Sequence, residues 1–309
     1  MIRPPNLRKG DTIGIVAPAG CLTEPEIAPA VDIVRSWGLN MVFGEHLFKR
    51  RNSFAGTDNQ RAADFQHMLD NRDIRAILCA RGGYGTVRII DRLRFGNFLK
   101  HPKWIAGYSD ITVIHSFMQQ CLGTESLHGA MPRVIPPQLP DVASLDSLRA
   151  ALFGKISEYT LQPNRHNLPG IATGILLGGN LSVLYSLSGT CYDPDTHGKI
   201  LFLEDLNEYL YHIDRMIMNL KIRGKLKGLK ALIIGGMLGM KSSPSGFHKS
   251  AHDIIREAVA DYGYPVMFGF PAGHGRPNLS LPMGREVTLK VADGGCKLHF
   301  NNKVKRSYG

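Results

Sequence analysis

The stretch KWIAGYSDITVIHSFM, residues 103–118, decides the class of fold. An apolar run from Trp104 to Gly107 passes directly into Tyr108, Ser109 and Asp110, and then into a stripe at helical spacing, Ile111, Ile114 and Met118. That order predicts a strand, a sharp turn and a helix. Such a turn lifts the Ser109 hydroxyl above the sheet edge and points the N–H groups of the next helix, from Asp110 onward, toward developing negative charge. The same residue types also make a Ser-Asp helix cap, and this segment alone favours the cap.

On either side the first third of the chain repeats the pattern. Strands are predicted at Thr12 to Ala17, Asn40 to Phe43, Ala76 to Cys79, Trp104 to Gly107 and Ser126 to His128. Between them run helical spacings at Ile27, Val31, Val34; at Phe65, Met68, Leu69; at Ile89, Ile90, Leu93; and at Ile111, Ile114, Met118. Strands alternating with helices predict an α/β fold with a parallel sheet. From Met131 to Gly170 the register dissolves into PRVIPPQLPD, a short helical piece around Leu145 to Phe153, and LQPNRHNLPG, which read together as a connection. The expected division is therefore 1–135, a linker over 136–170, and a mixed α/β unit over 171–309. In that last unit strands are predicted at Ala172 to Leu177, Lys199 to Leu203, Ala231 to Ile234, Val266 to Phe268 and Val287 to Val291. Helices are predicted at Tyr209 to Leu220 and Ala251 to Val259.

At about 150 residues per domain, a length of 309 residues means two domains or one large one. With 43% hydrophobic and 20% charged residues, neither a disordered nor a collagen-like chain fits. No apolar run approaches the roughly 18 to 20 residues of a membrane span. The opening MIRPPNLRKG is broken by Pro and charge before a signal-peptide core forms, so a cytosolic protein without membrane attachment is expected. Five widely spaced cysteines with no CxxC suggest reduced thiols rather than disulfides or a zinc site. The net charge of +11 favours anionic partners. Its densest run, Lys221, Arg223, Lys225, Lys227 and Lys230, lacks interleaved aromatics and reads as a solvated face, with no nucleic acid expected.

Several motifs are missing. There is no GxxxxGK[ST] loop, and RGGYGTVR lacks the third glycine of a dinucleotide fingerprint, so nucleotide cofactors lose support. His248 and His252 stand four apart without a third metal ligand, and exposed helix-start histidines are the better reading.

What remains is a constellation at predicted strand ends. The strand next to Trp104–Gly107 ends in CARGGYG, where Gly82, Gly83 and Gly85 let backbone approach a ligand closely. Gly83 is a candidate second oxyanion donor beside Asp110. Arg81 suits a substrate carboxylate, and an ordinary ion pair explains it equally well. His274 lies in FGFPAGHGRPN, just past an apolar strand, in a loop able to fix an imidazole; a turn histidine bonded to backbone is the alternative. Glu204 ends the strand of KILFLEDLNEYL, although Glu204 and Asp205 also suit a helix N-terminus. Ser109, Glu204 and His274, each at a strand's carboxyl end, outweigh the separate alternatives and predict nucleophile, orienting acid and base of an acyl transfer. The GxSxG elbow of α/β-hydrolases is absent, because Ile111 replaces its second glycine.

These residues resemble the LD-carboxypeptidase family of serine peptidases, which also contains the microcin-immunity peptidases. GDTIGIVAPAG, RGGYG, GYSDIT, GGNLSVL, LFLED and GFPAGHG carry the resemblance, collinearly over nearly the whole chain. It implies a Ser-Glu-His triad at Ser109, Glu204 and His274. It also implies a flavodoxin-like or class I glutamine amidotransferase-like first domain, a smaller swivelling β/α second domain, a homodimer, and no metal or organic cofactor. The implied reaction removes the terminal D-alanine from the cytosolic murein tetrapeptide, at the bond between the L-centre of a diamino acid and the D-residue. Such a substrate carries several carboxylates, which suits the positive charge and Arg81. The alternatives are a microcin-immunity-type hydrolase of acyl-nucleotide peptides, which would call for an aromatic clamp, and a non-catalytic carboxylate-binding module.

Overall fold

The computed structural model describes residues 1–134, 141–242, 246 and 249–301. Residues 135–140 of the predicted connection and His248 lie outside the described residues. The first half runs β1 (Thr12–Val16), α1 (Glu24–Ser36), β2 (Asn40–Phe43), α2 (Asp58–Asp70), β3 (Ile74–Cys79), α3 (Gly96–Lys100), β4 (Trp104–Gly107), α4 (Thr112–Cys121) and β5 (Ser126–His128). The second continues with α5 (Val142–Leu152), β6 (Glu158–Leu161), β7 (Gly170–Asn180), α6 (Leu181–Ser186), β8 (Ile200–Leu206), α7 (Leu210–Ile222), β9 (Ala231–Leu238) and α8 (Ala251–Val259). It ends with β10 (Val266–Phe268), β11 (Leu281–Met283), β12 (Glu286–Ala292) and β13 (Gly295–Phe300).

Two sheets result. The first has the order β11-β5-β4-β3-β1-β2, with all neighbours parallel except β11, which runs antiparallel on β5. The second has the order β10-β9-β8-β7-β12-β13-β6, parallel from β10 to β7 and antiparallel beyond. Burial follows this layout. β1 is apolar and almost wholly buried, as a central parallel strand must be, whereas β13 alternates buried and exposed residues as a half-covered antiparallel strand does. Helix starts are fixed locally: Thr57 and Gln60 exchange bonds at α2 (2.9 and 3.2 Å), and Ser250 and Asp253 do so at α8 (3.1 and 3.2 Å).

Three segments depart from the sequence expectation. Ile89, Ile90 and Leu93 lie not in an α-helix but around two 3₁₀ turns, Thr86–Arg88 and Ile90–Arg92. The tight turns bury Ile89 and Ile90 together. β6 arises inside the stretch read as a connection. β11 lies outside every predicted strand and carries Pro282, which is tolerated because β11 is the edge strand of the first sheet. The basic run is also less free than expected, since Arg223 and Lys225 both pair with Asp193.

The halves share a core. One apolar cluster runs from Ile13 and Trp104 of the first sheet through Leu281 and Met283 of β11 to Phe202, Leu289 and Phe300 of the second. Beside it a buried ion pair joins Arg285, between β11 and β12, to Glu125 at the start of β5, with two bonds of 3.1 and 2.8 Å. Nearer the site, the Asn180 N–H at the end of β7 donates to Thr112 Oγ1 at the start of α4 (3.0 Å). These contacts fix how the carboxyl end of β4 faces the carboxyl end of β8.

Candidate active site

Ser109 follows β4 by two residues and opens a 3₁₀ turn, Ser109–Ile111, that feeds α4. Its φ is 63°, in the left-handed region that non-glycine residues rarely occupy, at a cost of roughly 1–3 kcal/mol. This strain places the hydroxyl above the sheet edge. Against it lies Gly82, where a Cβ would sit 3.0 Å from Ser109 Cβ and 3.2 Å from Oγ, a tight contact. Asp110 does not cap its own helix. Its buried carboxylate accepts the Thr86 N–H (2.8 Å) and so ties the 82–86 loop to the serine turn; burial raises its pKa, opposed by those Thr86 bonds.

Glu204 is fully buried within β8, at a register shift against β9 between Leu203 and Asp205. Such an irregularity re-aims a side chain. Its Oε1 accepts a bond from Asn180 Nδ2 (3.2 Å), and the same amide donates to Asp205 Oδ1 (3.1 Å). Asn180 Oδ1 meanwhile accepts the Val183 N–H (3.1 Å) as the N-cap of α6. Asp205 Oδ2 accepts the Ser182 N–H (2.9 Å), so this acid does sit at a helix start, but that of α6 rather than the α7 that follows it in sequence.

His274 stands in the loop between β10 and β11. Its Nδ1–H donates to Glu204 Oε2 at 2.7 Å, which leaves Nε2 free to accept from the Ser109 hydroxyl at 3.2 Å. The neighbouring Gly273 makes this approach feasible: at φ 105° a Cβ there would fall 2.5 Å from Glu204 Oε2. Gly273 N–H is held by Asn278 Oδ1 (2.9 Å), and the Tyr108 ring meets the imidazole edge-on at 5.0 Å. Burial on its own would lower the His274 pKa. The bond to Glu204, its charge and that of Asp205 outweigh burial, and the pKa is raised. Asp205 itself is pushed up to about 6, by burial first and by the Glu204 charge, against the bond from the Leu206 N–H.

The structure thus brings Ser109, Glu204 and His274 into one hydrogen-bonded chain. Gly83 (φ 110°) lies over Gly20, and it is Gly82 that packs on the serine. Arg81 is half-buried, and its guanidinium donates to the Cys21 carbonyl rather than to a carboxylate. Asn180 and Thr112 escape the sequence reading of single residues, which places Asp205 only as an acid at a helix start. Asn180 left one signal, an Asn directly after an apolar strand and directly before a helix, the pattern of an N-cap. Among the described residues no group of three or more His, Cys, Asp or Glu side chains is placed to hold a metal ion, and His252 packs on His166 with ring centroids 5.3 Å apart. No helix among them is long and apolar enough to cross a membrane.

Two sheets with parallel cores, packed so that a serine from one meets a histidine and a glutamate from the other, define a serine-type hydrolase of the α/β class. Sequence profiles of the LD-carboxypeptidase N-terminal and C-terminal domains match residues 13–129 and 173–289, and the chain belongs to the LD-carboxypeptidase family. It is 34% identical over 295 residues to the probable murein peptide carboxypeptidase of Bacillus subtilis, covering 94% of this chain and 92% of the relative. The crystal structure of muramoyltetrapeptide carboxypeptidase from Oxalobacter formigenes superposes with a TM-score of 0.85 at 28% identity, over 94% of this chain and 99% of that one. The microcin C7 self-immunity protein of Escherichia coli is 25% identical over 323 residues, covering 92% of this chain and 91% of that protein.

Proposed function

We propose that the protein is a serine carboxypeptidase that releases the terminal D-alanine of a murein tetrapeptide, with Ser109 as nucleophile, His274 as general base and Glu204 as its orienting acid. The observation that carries this reading is the continuous chain of bonds from Ser109 Oγ through His274 to Glu204. As Ser109 attacks the acyl carbon, its proton passes to His274 Nε2, and Glu204 stabilises the imidazolium. The backbone amides of Asp110 and Gly83 hold the oxyanion, each donor contributing roughly 3 kcal/mol. His274 then protonates the departing amine of D-alanine, and a water activated by the same imidazole hydrolyses the acyl-enzyme. Arg81, beside the 82–86 loop, receives the free C-terminal carboxylate by exchanging its bond to the Cys21 carbonyl for a charge-assisted pair.

The net charge of +11 supports a substrate with several carboxylates. A cytoplasmic homodimer belongs to the same reading, as the family resemblance implies. The microcin-type alternative gains nothing from the tryptophans: Trp37 closes α1 and Trp104 lies in β4, both buried and unable to clamp a nucleobase. The test is incubation with disaccharide-free tetrapeptide carrying lysine or diaminopimelate, followed by mass. Loss of one alanine supports the proposal; an intact tetrapeptide alongside cleavage of an acyl-nucleotide peptide would favour the alternative.

A further inference from the structure

A second concave site lies behind the 82–86 loop. Gly82 faces Ser109, whereas a Cβ on Gly85 would meet Phe54 and Arg61, which wall a cavity of about 390 Å³. Arg51, Arg88, Arg92 and the first turn of α2 complete it, and Ser109, Glu204 and His274 do not border it. The volume falls within the usual range of small-molecule sites, roughly 300–1,000 Å³.

Charge is what distinguishes this cavity. Its lining holds four guanidiniums and one carboxylate, Asp58, an excess of three positive charges. Asp58 is already committed. Its Oδ1 accepts from Arg61 (2.7 Å) and from Arg88 Nε (3.0 Å), and its Oδ2 from Arg88 Nη2 (2.9 Å), while Arg92 stands 4.0 Å away. Like charges gathered in a concavity repel one another unless an anion enters.

The site is also held rigidly. Arg61 is 2% exposed and bonded to the carbonyls of Pro18 (2.9 Å) and Gly56 (3.0 Å). The Phe54 ring lies under Arg61 at 4.7 Å and under Arg88 at 5.5 Å, which fixes both guanidinium planes. Arg92 is half-exposed at the rim, where its Nη1 donates to Asn59 Oδ1 (2.5 Å). Forked guanidiniums match tetrahedral oxyanions, and the start of the 13-residue α2 lines the same cavity.

The geometry points to a binding site for a diphosphate group, gripped by Arg51, Arg88 and Arg92 above the start of α2. The cavity is larger than a single phosphate requires, and two linked phosphoryl groups let more than one guanidinium fork engage at once. Free pyrophosphate and a nucleotide carrying the same group share this chemistry, and inorganic pyrophosphate is the probe that isolates it.

Isothermal titration of the full chain at constant ionic strength, with pyrophosphate, phosphate and citrate in turn, tests the assignment. Pyrophosphate is expected to bind saturably with a Kd below about 1 mM, about tenfold or more tighter than phosphate or citrate. The Arg51→Gln/Arg92→Gln double variant, which keeps the Arg61 and Arg88 bonds to Asp58, is expected to weaken pyrophosphate about tenfold or more with an unchanged melting temperature of the free protein. Absence of saturable pyrophosphate binding at about 10 mM overturns the site, as does equal binding by the double variant. Citrate binding as tightly as pyrophosphate overturns the diphosphate assignment.

Discussion

At His274 two opposing effects meet: burial disfavours the imidazolium, and the carboxylates of Glu204 and Asp205 favour it more. As the proposed base, His274 must be neutral to accept the Ser109 proton, so activity is expected to rise as pH passes upward through a pKa above the ordinary 6.5. The acid limb of kcat/KM is therefore expected above pH 6.5. Asp205 carries its charge only above about pH 6, so in the wild type it acts on His274 throughout that limb. Asp205→Asn is expected to move the limb to lower pH, as read from a pH–rate profile; an unmoved limb would remove Asp205 from the electrostatics of the base. Gly273 shows how little space the site allows. Because an added Cβ would fall 2.5 Å from Glu204 Oε2 at a φ of 105°, Gly273→Ala is expected to cut kcat by about 10² or more while KM changes little. Steady-state kinetics with the tetrapeptide check this.

The elements that carry the site differ in how plainly their sequence announces them. β4 and its turn are legible because an apolar run breaks at Tyr108 and a helical stripe starts within three residues, so Ser109 can only lie at a strand end. The His274 loop is legible for a similar reason, a buried strand followed by Gly and Pro. The aim of Glu204 is not, because it depends on the register of β8 against β9, a pairing between residues about thirty apart in the chain. Asn180 bonding to Glu204 and Asp205, and Thr112 accepting from Asn180, are likewise products of packing that no local pattern encodes. β6 and β11 are short edge strands, one between polar turns and one with a proline, and tertiary pairing overrides their local signals. Behind β4, His115 of α4 gives a testable consequence of burial. Its Nε2–H donates to the Gly107 carbonyl (2.9 Å) and its Nδ1 accepts from the Ser126 hydroxyl (2.8 Å), a neutral tautomer whose pKa burial lowers to about 4. The unfolded chain takes up that proton near pH 6.5, so this stability is present above 6.5 and is lost as pH falls toward 4, by about 3 kcal/mol. Denaturant titrations across pH 7 to 4 are expected to show the loss in the wild type and a shallower one in His115→Gln. Identical slopes would contradict the neutral assignment.

The proposed mechanism requires the two sheets to keep their relation, since Ser109 comes from one and Glu204 from the other. Arg285 and Glu125 hold that relation as a buried pair, with Arg3 adding a third contact at 3.2 Å. Removing Arg285 leaves the buried Glu125 carboxylate with Arg3 alone, so Arg285→Met is expected to destabilise the fold by about 3 kcal/mol in denaturant unfolding. The double variant with Glu125→Gln is expected to recover part of that loss; no recovery would mean that the pair contributes through packing alone. The shared apolar core through β11 supports the same arrangement, and the short path from Ser109 to Glu204 follows from it. The decisive measurement is kcat/KM on the murein tetrapeptide for the wild type, Ser109→Ala, His274→Ala and the two combined, each confirmed folded. Groups acting as one unit predict a fall of about 10⁴ or more for Ser109→Ala and little further loss on combining the two. Turnover by Ser109→Ala within about tenfold of the wild type would contradict the assignment of this serine as the nucleophile.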